Sequence, residues 1–84
     1  MDLVIRYGLA AGFEDEALAL ARRLFAHFDE AIDSLTLVPV AEDDFVVFLG
    51  GELVHSRAAS GRAPRLADVI AAVESRARTA RPLP

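Results

Sequence analysis

The chain has 84 residues, no cysteine and no lysine; its nine basic side chains are all arginine, and thirteen acids bring the formal charge to -4 at pH 7. A chain of this length forms one domain with a single modest core, too small to enclose an elaborate catalytic cavity. Without a thiol it has no disulfide, no cysteine nucleophile and no soft metal ligand, so thiol redox chemistry and zinc-ribbon folds are excluded. The charge is uneven, with three arginines against eleven acids in residues 1–56 and six against two in residues 57–84. A strongly acidic half repels phosphates, which argues against nucleic-acid binding.

Residues 2–7 alternate, with Leu3, Ile5 and Tyr7 on one side and Asp2, Val4 and Arg6 on the other, as a strand does. From Phe13 to Ile32 the apolar residues Phe13, Ala17, Leu20, Ala21, Leu24, Phe28 and Ile32 recur at helical steps, which predicts one long amphipathic helix. Its first turn carries Glu14, Asp15 and Glu16, where the helix dipole favours carboxylates. Ser34 to Val38 reads as a second strand, ended by Pro39. Phe45–Leu49 and Glu52–Ser56 flank Gly50-Gly51 and predict a two-residue hairpin. A loop over 58–63 follows, and a second helix starting near Pro64 keeps Leu66, Val69, Ile70 and Val73 on one face. A single domain over 1–78 with a frayed tail from Thr79 to Pro84 is expected. The opening residues are too soon charged for a signal peptide and no apolar run reaches membrane-span length, so a soluble, cytoplasmic protein without membrane contact is expected.

Several short motifs in this order resemble the selenoprotein W-related proteins, the Rdx family of the thioredoxin-like superfamily. They are Ile5-Arg6-Tyr7, Leu37-Val38-Pro39, Gly51-Glu52-Leu53-Val54 with Ser56-Arg57, and Gly61-Arg62 with Pro64. The resemblance implies an α/β fold with a four-stranded mixed sheet in the order 2-1-3-4 and two helices on one face. Family members carry a CxxC or Cys-x-x-selenocysteine pair after the first-strand tyrosine; here Gly8 and Ala11 stand at those positions. The redox activity of the family is therefore not expected. Cysteines restored at both positions would be expected to regain a reactive thiol, with a pKa raised by the acidic first turn.

Gly8 and Gly12 match neither dinucleotide nor P-loop spacing, and the carboxylates beside them oppose a phosphate. His27 reads as a solvated helix-flank residue, and no His or carboxylate spacing suggests a metal site. His55 and Ser56 are adjacent strand residues and point to opposite faces, so they cannot act together as base and nucleophile. In the implied sheet order, Glu14, Asp15 and Glu16 share a pole with Glu42, Asp43 and Asp44, and with Arg57, Arg62 and Arg65. Solvent-screened ion pairs outweigh a weak divalent-cation or basic-partner site there. Uninterrupted hairpin pairing places Val46, Phe48, Leu53 and His55 on one sheet face and Phe45, Val47, Leu49 and Val54 on the other. Whichever face the helices leave uncovered is then an apolar interface for a homodimer or a protein partner. The reading is a cofactor-free, redox-inactive interaction module. The alternatives are a small non-thiol enzyme or ligand-binding domain using the acidic pole or His55, and a regulatory mimic of redox-active relatives.

Overall fold

A computed structural model describes residues 1–80, and side chains as far as Arg76. The elements are β1 (Asp2–Gly8), α1 (Glu14–Phe28), a 3-10 turn (Asp29–Ala31), β2 (Ser34–Val40), β3 (Phe45–Leu49), β4 (Glu52–Ser56), α2 (Arg57–Ser60) and α3 (Leu66–Ala80). The strands form one sheet in the order β2-β1-β3-β4, with β1 parallel to β2 and antiparallel to β3. Both long helices lie on one face, where Leu3, Ile5 and Tyr7 of β1 meet Ala17, Leu20 and Leu24 of α1 and Val69 of α3. Leu3, Ile5, Leu20, Leu24, Val47 and Val69 are fully buried, each contributing about 1.5–3 kcal/mol of hydrophobic stabilisation. Among the described residues, no helix is long and apolar enough to cross a membrane.

The expected fold and strand order hold, but four boundaries differ. The first helix stops at Phe28 because Asp29 takes a positive φ of 48° and turns the chain into the 3-10 segment that feeds β2. Its start lacks a side-chain cap, which leaves the first-turn carboxylates to complement the free amide dipoles. Pro39 does not end β2, which runs on to Val40; β2 is an edge strand, where proline's missing donor is tolerated. A one-turn helix, α2, occupies part of the expected loop, capped by the Ser56 hydroxyl and closed by Gly61 at φ 80°. Finally, α3 runs through Thr79 and Ala80, where the expected tail starts; the rest of that tail, residues 81–84, lies outside the described residues.

The hairpin departs from simple pairing in one consequential place. Leu49 pairs with Glu52 and Phe48 with Leu53, but Val47 then pairs with His55 and Val46 with Ser56. Val54 is thus an extra residue, a β-bulge, and it reverses the facing of everything after it. His55 consequently turns inward with Val47 rather than outward with Phe48. Of the expected interface residues, Phe45, Val47 and His55 are buried beneath the helices, Val54 packs against the core, and Val46 on the opposite face is only 8% exposed, which leaves the half-buried Phe48 and the exposed Leu53 accessible on that face.

Candidate functional site

The loop from β1 to α1 carries Gly8 and Ala11, the positions that the resemblance matches to the family's redox pair. Gly8 closes β1 and donates its amide to the Asp44 carbonyl at 2.6 Å, while the next amide, that of Leu9, reaches the Val40 carbonyl at 3.1 Å. These bonds draw the acidic β2–β3 connection directly over Gly8. A Cβ at position 8 would stand 2.5 Å from the Glu42 carbonyl oxygen and 3.3 Å from Asp43 Cα, both backbone atoms that cannot rotate aside. A side chain at this position therefore needs the β2–β3 backbone to shift, so a cysteine restored at position 8 comes at a steric cost that one at position 11 does not meet. Ala11 is exposed at the tip of the same loop. Beside the closed position lies an apolar cleft of about 480 Å³ lined by Leu9, Ala10, Pro39, Val40 and Ala41. Leu9 is 52% exposed there.

The anticipated charged pole assembles only in part. Arg57 reaches Asp43 at 3.5 Å and lies 4.8 Å above the Phe13 ring, which itself stacks obliquely on Phe45 at 5.3 Å. That guanidinium joins the end of β4, the start of α1 and the β2–β3 connection, a tie of about 0.5–1 kcal/mol at an exposed site. Arg62 makes no ion pair with the acids of α1 among the described residues and instead forms a bidentate pair with Asp68 at 2.6 and 2.8 Å. Arg65 shares a second cleft with Arg62, Asp15, Glu16 and Arg23. Glu14, Glu42 and Asp44 make no ion pair among the described residues. No three His, Asp or Glu side chains among the described residues converge into a set able to hold a metal ion.

The inward turn of His55 creates a cluster that sequence reasoning missed. Its Nε2 lies 2.9 Å from Ser60 Oγ and 3.0 Å from the Arg62 carbonyl, and its Nδ1 is 3.6 Å from Asp68 Oδ2. Serine, histidine and aspartate thus line up as in a hydrolytic relay, but the hydrogen bonds run the other way. A carbonyl can only accept, so the network assigns the proton to Nε2, and a protonated Nε2 cannot take a proton from serine. The Ser60 hydroxyl has its own acceptor in the Ser56 carbonyl at 2.8 Å. Asp68 also accepts the Arg65 amide at 2.8 Å, capping α3 from its third position. The Arg62 hydrogen bonds, helped by that amide, hold the Asp68 carboxyl at about 2, well below the usual carboxylate range. The Arg62 guanidinium is correspondingly raised by its bonds to Asp68. His55, Ser60, Arg62 and Asp68 together pin the β4–α3 connection to the helix-covered face. His27, by contrast, lies exposed on α1 with its ring edge-on to Phe28 at 4.7 Å.

A four-stranded mixed sheet in the order β2-β1-β3-β4 with two long helices on one face defines a thioredoxin-like fold, here with the loop after β1 closed over Gly8. Solved structures of this shape include a selenoprotein W-related protein from Vibrio cholerae, with 22% identity over 88% of this chain and 92% of that one, at a TM-score of 0.81. A protein from Bordetella parapertussis is similar at 20% identity, over 89% and 95% of the two chains, also at 0.81. The Rdx family model matches residues 2–75, and the chain belongs to the Rdx family. No curated protein matches the sequence significantly.

Proposed function

We propose that this Rdx protein is a redox-inactive interaction module that contacts another polypeptide through the face of its altered motif loop. The observation that supports this most is the pairing of a closed position 8 with an exposed leucine beside it. Gly8 and Ala11 supply no nucleophile, while Leu9 and the Pro39–Ala41 segment offer an apolar cleft of a size that accepts one or two side chains. The cleft is followed in the chain by Glu42, Asp43 and Asp44, of which only Asp43 forms an ion pair among the described residues. A partner segment carrying an aliphatic or aromatic side chain with Lys or Arg beside it suits that combination of apolar floor and acidic margin. Catalysis by His55 is disfavoured by its wiring, since both of its ring nitrogens face acceptors.

The reading is tested by placing a photo-crosslinking side chain at position 10, in the cleft, and repeating the capture with Leu9→Asp. The expected result is a discrete adduct that Leu9→Asp abolishes and that competing peptides of basic-apolar character reduce. An adduct pattern unchanged by Leu9→Asp would remove this surface from consideration.

A further inference from the structure

The opposite face of the sheet carries a pattern of its own, independent of the motif loop. Here the β1 side chains are Asp2, Val4 and Arg6, and the registers extend each of them into a row across the strands. The Val4 row is Thr36, Val4, Phe48 and Leu53; the Arg6 row is Val38, Arg6, Val46 and Ser56; the Asp2 row is Ser34 and Asp2, continued by Gly50, whose amide bonds the Asp2 carbonyl at 2.9 Å. None of Val4, Val38, Phe48 or Leu53 packs against the core, and Leu53 is 54% exposed. Among the described residues Arg6 stands between these apolar side chains with no acidic partner, and the Asp2 carboxylate accepts only the Ser34 hydroxyl, at 2.8 Å.

A central apolar row with an acid on one side and a base on the other is self-complementary under a two-fold rotation. If a second copy is laid face to face with its strands reversed, about an axis through the Val4 row, Thr36, Val4, Phe48 and Leu53 each meet their own counterparts. Asp2 of each copy then lies opposite Arg6 of the other. Val38 of the Arg6 row meets the small Ser34 of the Asp2 row, so bulk meets space, while Val46, only 8% exposed, lies opposite Gly50. Packed sheets stand about 10 Å apart, a gap that an arginine and an aspartate reaching toward each other can close. Rotation about an axis parallel to the strands would instead set Asp2 on Asp2 and Arg6 on Arg6, so the charges select one orientation. Other proteins could meet the apolar row, but only a second copy is guaranteed to supply the matching charges at the matching spacing.

We propose that the uncovered sheet face is the interface of a two-fold homodimer, crossed antiparallel at Val4 and oriented by reciprocal Asp2–Arg6 pairs. A face of four short strands falls at the small end of specific interfaces, so association is concentration-dependent and weakened by salt. Sedimentation equilibrium from about 10 to about 500 micromolar, at low and high salt, reads it directly. The wild type should dimerise, Asp2→Arg and Arg6→Asp should each weaken the dimer at least about tenfold, and the double reversal, which keeps the pattern, should return to within about threefold of wild type. Leu53→Glu, at an exposed position, should leave the monomer folded by circular dichroism and abolish association. A wild type monomeric at the highest concentration and low salt would overturn the proposal. So would single reversals or Leu53→Glu that associate like wild type, or a folded double reversal no tighter than the singles. None of these outcomes bears on the motif-loop reading, which rests on Leu9.

Discussion

At the scale of single residues, Gly8 offers neither a nucleophile nor room for one. Its φ is not positive, so the glycine is not there to permit an unusual turn; it is there because the Glu42 carbonyl occupies the space of a side chain. Gly8→Ala and Gly8→Cys should each lower stability by about 1–3 kcal/mol, the usual cost of forcing atoms into filled space, measured as a shift in the urea midpoint. By contrast Ala11→Cys, at an exposed loop position, should fold normally and expose a thiol that titrates with an aromatic disulfide reagent. His55 is a second residue defined by its surroundings. Replacing it with Leu fills the volume but removes the Nε2 bond to the Arg62 carbonyl, leaving that carbonyl only the Ser60 hydroxyl at 3.0 Å, at a cost of about 1 kcal/mol, whereas Gln retains a donor and should recover part of the loss.

At the scale of elements, the start of α3 depends on Asp68, which caps the helix and binds Arg62. Its pKa of about 2 lies below the ordinary value of 3.8, so the folded state favours the ionised form. The stabilisation is fully present above about pH 4 and is lost as pH falls through the range from about 4 to about 2. With allowance for solvent screening it is on the order of 1 kcal/mol. Asp68→Asn should therefore be less stable than wild type at pH 6, with the difference narrowing toward pH 2; thermal melts across that range check it. The elements themselves were largely legible: the period of residues 2–7, the spacing from Phe13 to Phe28 and the two glycines at 50 and 51 are local signals. Four features were not. The bulge at Val54 leaves no mark in composition, because Glu52-Leu53-Val54-His55-Ser56 reads equally well in either register. Helix α2 spans one turn and is too short to show a period. The His55, Ser60 and Asp68 cluster is assembled by that bulge and that turn, so it was hidden by the same two errors. The approach of Glu42 to Gly8 is a backbone contact between distant segments, which no side-chain pattern encodes.

At the scale of the whole molecule, the missing thiols and the closed loop make one prediction together. Neither the wild type nor the Gly8→Cys/Ala11→Cys variant should reduce insulin disulfides. The first lacks a nucleophile, and in the second the loop must open for residue 8 to fit. Turnover by the double variant above the rate of the reductant alone would show that the β2–β3 connection yields more readily than its bonds at Gly8 and Leu9 suggest. The bulge in β4 has a consequence at this scale as well. An edge strand that is short, irregular and twisted is a poor template for a neighbour's backbone, and on the far side of the sheet Pro39 interrupts the row of donors along β2. Lateral growth of the sheet is thereby discouraged at both margins. A chain with so much Val, Leu and Phe in its strands is in this way kept from stacking edge to edge into fibrils, and any association is directed to its broad surfaces, where it can close and stop.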